Sequence, residues 1–510
     1  MTSKALVFDI GTTKIKAGLL DLESLKINEV RQAESQVIYP SPGLAEQDPE
    51  WLWRTVTGLA QDLVSSSDGS VDTVVFVAYM AGLILLDENG EPLTNLITWL
   101  DERAAGLPKG IWSGLLRISG YNVFRLLEFL RITGGAPSST GKDVISKLVW
   151  IRENLPEEYE RAKHVLGAIG YLVYKATGTP VYPADDAHLT WLADTRRIPP
   201  EWSRKLFMRY GLDPGKMPAI MQAHEIAGTL TKQASRELGL SEHTRVLVGM
   251  GDVAAVALGS GAVEEHRLHV YLGTSGWTAF HTRKRILDIS HYIGSLVSAH
   301  PGYYLAIGEQ EVAGGAVDWA STLLGFQNVG EALTAIAEVP PGANGLLFGP
   351  WLFGERCPVD DPYARGVLIG FDLNTDRREI TRSVVEGVLL NTAWGFKYAS
   401  KLSGSREPAR LVGGLARSEL VGQLLADMTG YIVEVPTAPE LAGLRGGAMI
   451  AGFGLGYSTL EQYASKIEIA RQHKPGKYRE TYQKLLASYT RMYKNVKKTF
   501  RELSQFRQQH

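Results

Sequence analysis

The chain carries one short plan twice. "VFDIGTTKIKAGLLD" at 7–21 reads as a β-rich run, a Gly11-Thr12-Thr13 turn and a second β-rich run. "VYLGTSGWTAFH" at 270–281 repeats it around Gly273, Thr274 and Ser275. A glycine followed by two hydroxyl residues at a hairpin tip aims backbone N–H groups and hydroxyls at one point, a small anion nest. One such hairpin is a common structural feature. Two, each early in one half, suggest a duplicated domain with phosphate groups held between the copies. At 510 residues the chain is too long for a single core, so two or more domains are expected on size as well.

Elsewhere short β-rich runs alternate with longer helical patterns, the mark of an α/β fold. "TVVFVAY" and "RVLVGMGD" read as strands. "DVISKLVWIRENLPEEYERAK" reads as helix with an end or break before Pro156. The polar "GLSEHT" ahead of a new strand near 245 suggests domains at 1–245 and 246–510. "SSSDGS" at 65–70 reads as a surface loop. From about 477, Tyr482, Leu486, Tyr489, Tyr493, Val496 and Phe500 recur at helical spacing. The Lys and Arg residues among them read as a solvated helix face rather than a basic patch.

Several function classes lose ground at once. A net charge of -2 supplies no field for nucleic acid or an anionic membrane. No apolar run approaches the ~20 residues of a membrane span. The N-terminus lacks the layout of a secretion signal, and the single Cys357 fits a reducing compartment, so a cytoplasmic location is expected. "APSSTGKD" at 136–143 fails as a P-loop, with Ala136 and Asp143 at decisive positions. There is no H-E-x-x-H, no thiolate zinc set and no G-x-S-x-G.

One acid stands out. Asp252 ends a hydrophobic run in "GMGDVAAVALGSGAV", with glycines on both sides. Asp is seldom buried without a partner. It reads either as the cap of a following helix or as a functional carboxylate.

Several segments together resemble the FGGY carbohydrate kinases. They are "FDIGTTKIKAGLLD", "AEQDPEWLW", "ITWLDERA", "GMGDVAAVALGSGAV", "YLGTSGW", "GGAVDW", "GLLFGPWLFGERCPVDDPYARGVLIGF" and "LVGGLARSELVGQLLADMTG", in family order along nearly the whole chain. The resemblance implies an α/β fold of two RNase H-like (actin/hexokinase-type) domains with an interdomain cleft. It implies ATP and Mg²⁺, a small sugar or polyol substrate, and no nucleic-acid or membrane partner. A homodimer is compatible with it. Asp252 resembles the family's catalytic base, which takes the proton of the attacking hydroxyl. The glycines at 249, 251, 259 and 261 are then expected to leave room for substrate, metal and phosphate. Asp9 matches the position of a water-mediated magnesium contact, with Asp252 also on the metal's side. Gly11, Thr12 and Thr13 would face the transferring phosphate; Gly273, Thr274 and Ser275 would face the nucleotide's phosphates. Gly413, Gly414 and Ala416 in "LVGGLARSE" resemble the adenosine-binding turn. Trp99, Asp101 and Arg103 are candidate sugar contacts, with a surface turn holding an ion pair as the alternative. Trp351, Glu355 and Arg356 are expected in the interdomain scaffold.

The substrate strand departs from the xylulokinase pattern of the family. "AYMAG" places Tyr79 and Ala81 beside Met80 where Gln and His are usual, and Val253 follows the base. Tyr79 and Met80 remain substrate candidates, while Glu309, Gln310, Glu311, Asp185, Asp186 and His188 are candidates for replacement contacts, with polar loops as the alternative reading. Leu415 in place of a third glycine is expected to reshape the nucleotide pocket. A ketopentose such as xylulose is the first expectation, competing with another polyol or a sugar acid; gluconate, glycerol and an actin-like or Hsp70-like ATPase are the alternatives.

Overall fold

The computed structural model describes residues 3–66, 70–118 and 120–507. Residues 67–69 of the expected "SSSDGS" loop lie outside the described residues.

Two sheets organise the chain. The first contains β1 (Lys4–Ile10), β2 (Lys14–Asp21), β3 (Ile27–Glu34), β4 (Val71–Ala78), β5 (Ile226–Thr229), β6 (Arg245–Leu247) and β7 (Met250–Gly251). Its order is β3-β2-β1-β4-β6-β5, with β7 also on β4. The second contains β8 (Leu268–Leu272), β9 (Gly276–Thr282), β10 (Gly294–Val297), β11 (Tyr304–Gln310), β12 (Ala409–Val412), β13 (Val433–Pro436) and β14 (Ile469–His473), in the order β10-β11-β9-β8-β12-β13-β14. Aligning β3-β2-β1-β4-β6-β5 with β11-β9-β8-β12-β13-β14 gives the same series of pairings: two antiparallel, two parallel, one antiparallel. The two Gly-hydroxyl turns fall at equivalent places, β1–β2 and β8–β9. The duplication read from the hairpins therefore extends through both sheets. The division expected at 245/246 falls inside β6, a strand of the first sheet.

β1 and β4 are apolar along nearly their whole length because helices cover both faces. On one side lies α1 (Pro49–Ser65), started by the Asp48 carboxylate, which accepts from the N–H groups of Glu50 and Trp51. Leu52, Val56 and Leu63 on that helix join Phe8 and Phe76 in one core. Further helices in chain order are α2 (Val144–Asn154), α3 (Ala168–Thr177), α4 (Ala184–Leu189), α5 (Asp252–Gly259), α6 (Gly314–Leu323), α7 (Arg377–Ser403), α8 (Ala442–Gly454) and α9 (Arg479–Arg507). The break before Pro156 is present: α2 stops at Asn154 and a separate turn of helix covers Pro156–Arg161.

α5 and α8 form a layer between the two sheets. Ala254, Ala255 and Leu258 of α5 pack with Leu444, Ala448 and Met449 of α8 against Val7, Val75 and Val77 of the first sheet. Val256, Ala257 and Ala442 face Trp277, Ala279 and Val412 of the second. A helix buried on opposite faces has to be apolar all round, which is why "VAAVALG" follows Asp252.

α9 packs on the second unit through Tyr482, Tyr489, Tyr493 and Phe500, all buried, with Leu486 and Val496 partly so. The Tyr482 hydroxyl donates to Glu386 Oε1 (2.7 Å) and that of Tyr493 to Asp361 Oδ2 (2.9 Å). The residues expected in the interdomain scaffold are held by close partners. Trp351 is enclosed by Tyr489, Tyr493 and Phe500, and Glu355 accepts from Asn391. Arg356 pairs with Glu309 and Glu311. These hydrogen-bond and ring partners all belong to the second unit, while the Arg356 charge also reaches Asp143 of the first.

Candidate active site

Asp9 is the penultimate residue of β1, two positions before the first turn. Burial pushes its carboxyl above the ordinary Asp range, and Lys16 partly offsets this. Asp252 is the first residue of α5, with Gly251 at the cap position. Among the described residues its Oδ1 accepts only from the adjacent Val253 N–H (2.9 Å), not from the N–H groups two or three residues on that a capping Asp binds. Burial, then the nearby Asp9 charge, pushes Asp252 up to about 7, with Glu309 and Asp185 adding to it. A carboxylate that raises its neighbour's cost of ionisation stays close to it only where something else needs both.

Both turns are closed by backbone bonds: Gly11 N–H to Lys14 O (2.9 Å) and Gly273 N–H to Ser275 O (3.0 Å). Thr13 and Thr274 are exposed, Thr12 and Ser275 half-buried. The second turn is braced from behind. The N–H groups of Ala313, Gly314 and Gly315 at the start of α6 donate to the carbonyls of Gly273 and Thr274, leaving the turn's tip free.

At the end of β12, Gly413 has φ +101° and its α-carbon lies against the Leu272 carbonyl, a position only glycine occupies without strain. Nothing lies within 4 Å of a Cβ built on Gly414, so open space begins there. Ala416 is buried. Leu415 turns its side chain into the core, against Gly314.

The glycines around Asp252 serve packing rather than ligand access. A Cβ at Gly251 would strike the Met80 side chain, and one at Gly259 would strike the Ala442 carbonyl. Met80 thereby lies against the residue preceding Asp252. The neighbouring Tyr79 is buried and its hydroxyl donates to Gln47 Oε1 (2.7 Å). Ala81 is held at both ends: its N–H donates to Asp186 Oδ1 (2.9 Å), and its carbonyl accepts from Lys147 Nζ (3.0 Å). Asp185 Oδ2 accepts from Gly251 N–H (2.7 Å). Burial pushes Asp186 up to about 8 and Asp185 up to about 6, and pulls Lys147 down to about 7. Asp185 Oδ1 and Asp186 Oδ2 are buried without a hydrogen-bond partner among the described residues. His188 sits apart from them, accepting from Val297 N–H at Nδ1 (3.0 Å).

Most other candidates have their polar groups taken, though Gln310 Nε2 is buried without a hydrogen-bond partner among the described residues. Asp101 accepts from Ala45 N–H (2.7 Å) and from Arg103, which also binds Glu46. Burial raises the Asp101 carboxyl, but the Arg103 guanidinium outweighs it and holds the group below its usual range. The ion pair is thus present, but enclosed rather than on a surface turn, and Trp99 packs against the first core. Glu309 and Glu311 clamp Arg356, and Thr392 donates to Gln310. Val253 packs among apolar residues. Lys147 and Tyr271 escaped the sequence reading. Each lies in an ordinary-looking apolar segment, and only the tertiary fold brings it to the site.

Residues 4–259 match the FGGY family of carbohydrate kinases, N-terminal domain, and residues 268–455 match its C-terminal domain. The chain belongs to the FGGY family of carbohydrate kinases. As such it is an ATP-dependent sugar kinase, and the actin-like ATPase alternative falls away. A xylulose kinase of Bacillus subtilis is 27% identical over 509 residues, covering 98% of each chain. A gluconokinase of the same organism is 28% identical, covering 89% of this chain and 87% of its own. The crystal structure of ligand-bound xylulose kinase from Lactobacillus acidophilus matches the fold with a TM-score of 0.86 at 24% identity, over 98% of this chain and all of that one. Among the described residues no helix is long and apolar enough to cross a membrane.

Proposed function

We propose that this FGGY kinase moves the γ-phosphoryl group of ATP to a hydroxyl of a neutral ketopentose, with xylulose the first candidate. The observation carrying the choice of a neutral acceptor is the buried acid set beside Met80 and Ala81. Asp185, Asp186 and Asp252 surround that turn, and the nearby Lys147 uses its donors on the carbonyls of Ala81 and Thr98. A sugar acid would bring a further negative charge into this setting. The likeness to a xylulose kinase along the whole chain supports the same reading.

In this reading Asp252 accepts the proton of the sugar hydroxyl as its oxygen attacks phosphorus. The Gly11-Thr12-Thr13 turn receives the transferring phosphate, and Gly273-Thr274-Ser275 holds the nucleotide's other phosphates. Gly413, Gly414 and Ala416 seat the adenosine, with the opening at Gly414 taking the flat base. Met80 and the Ala81 backbone border the sugar, whereas Tyr79, Asp101 and Arg103 shape the walls. The two domains divide between α5 and β8, so that Asp252 sits at their junction. A cytoplasmic location is supported by the single cysteine.

Asp9 is the residue for magnesium. It makes no ion pair among the described residues, and no cluster of three or more His, Cys, Asp or Glu able to hold a metal occurs among them. That donor set suits Mg²⁺, which keeps its waters and takes one or two carboxylates plus phosphate oxygens. Bound there with the nucleotide, the ion neutralises phosphate charge. Asp9→Ala should therefore raise the Mg²⁺ concentration for half-maximal activity about tenfold or more, while KM for sugar stays within about twofold. A magnesium titration with an unchanged midpoint would remove Asp9 from this role.

Coupled ADP release across xylulose, ribulose, glycerol and gluconate tests the substrate. A neutral ketopentose should exceed gluconate in kcat/KM by about tenfold or more, since like charges a few ångströms apart at the protein's effective dielectric cost more than the ~1.4 kcal/mol that corresponds to. Gluconate as the best substrate would reverse the choice.

A further inference from the structure

Tyr271 lies on β8 two residues before Gly273, and nothing above uses it. Its ring stacks on Trp277, directly opposite in the β8–β9 pair, with centroids 4.0 Å apart and planes 20° from parallel. That stacking leaves little freedom for the ring. The phenol leans along the strand over the Gly273 α-carbon, where any Cβ would overlap it. Its hydroxyl therefore projects at the root of the second phosphate turn. The ring also borders Val253 and Ala442, so it stands where α5 and α8 meet the second sheet. Asp9 and Asp252 are both near enough for their charges to act on it, and together with burial they keep the phenol protonated. Tyr271 is only partly buried, and its hydroxyl makes no hydrogen bond to another described residue. A phenol held rigidly, with a free O–H, between two carboxylates and a phosphate turn is a donor without an acceptor.

We propose that Tyr271 is a further catalytic residue, whose O–H donates a hydrogen bond to a non-bridging oxygen of the phosphoryl group during transfer. The inference rests on the kinase reading. The bond from phosphorus to the sugar oxygen forms, the bond to the β–γ bridging oxygen breaks, and that electron pair leaves with ADP. The hydroxyl proton goes to Asp252, and Tyr271 keeps its own. The donor offsets the repulsion that two carboxylates exert on a highly charged group, which is the kind of fixed dipole that lowers such barriers.

Tyr271→Phe keeps the ring, and with it the stacking on Trp277, and removes only the hydroxyl. Its kcat with ATP and the best sugar should fall about a hundredfold, the lower end of losing one such donor, with KM for sugar unchanged. Binding of Mg·ADP plus aluminium fluoride in the presence of sugar, a mimic of the transferring group, should weaken by a similar factor. Binding of Mg·ADP alone should not change, which a merely structural role would not produce. A variant with kcat within twofold of wild type, or equal losses for Mg·ADP with and without aluminium fluoride, would overturn the role of Tyr271. A wild-type enzyme without sugar-stimulated ADP release would instead overturn the kinase reading, and the tyrosine's role with it.

Discussion

Asp252→Asn should fold normally and lose sugar-dependent turnover by about 10²–10⁴-fold, the usual contribution of a positioned base. The amide has the carboxylate's shape and still accepts the Val253 N–H bond, so the start of α5 is preserved. It cannot take the hydroxyl proton. The substitution also removes one of two mutually repelling buried carboxylates, so thermal stability should stay level or rise. A drop in kcat together with a melting temperature at or above wild type separates a chemical role from a structural one. A variant keeping more than half of the wild-type kcat would reduce Asp252 to a helix-start residue. The pH profile offers a second check. The base works ionised, and burial and Asp9 hold the Asp252 carboxyl near 7. Activity should therefore fall as pH drops through that value, with the acid limb lying lower when Mg²⁺ offsets the Asp9 charge.

The parts of this molecule legible in its sequence are those where local chemistry leaves few options. Gly followed by two hydroxyl residues between two apolar runs has to be a tight polar turn, and finding it twice gave the duplication. Tyr482, Tyr489, Tyr493 and Phe500 sit on one helix face by spacing alone, and all four are buried. What stayed hidden depends on contacts between distant segments. Asp101 and Arg103 look available for a sugar until Ala45 and Glu46 arrive from another loop and saturate them. Glu309 and Glu311 look like open acids until Arg356 enters from a later segment. Lys147 sits in a helix of apolar and charged residues with no local sign that burial will pull it down to about 7. The glycines near Asp252 were visible, but their reason was not. Their neighbours are other helices and strands, not a ligand.

That last point yields the second large effect. Gly446→Ala should destabilise the protein by about 3 kcal/mol, the upper end of ordinary overpacking, and lower kcat by about 10²-fold. A Cβ on Gly446 would overlap the Ala255 carbonyl, and backbone cannot swing aside as a side-chain tip can. α5 and α8 would have to separate. Both helices are already confined between the two sheets, so the separation propagates to their ends. Those ends are the site: α5 begins at Asp252, and near the start of α8 the Gly443 α-carbon presses on Asp9, leaving 2.6 Å between a built Cβ and Oδ2. Moving a catalytic group by about 1 Å is enough for a rate loss of about 10². The control is Gly58→Ala, in the exposed interior of α1 with nothing within 4 Å of a built Cβ. It should stabilise by about 0.5–1 kcal/mol, because alanine loses less backbone entropy on entering a helix. Denaturant midpoints and kcat measured on both variants decide the matter. Equal midpoints, or a Gly446→Ala enzyme with wild-type kcat, would mean that the α5–α8 contact does not set the spacing of Asp9 and Asp252.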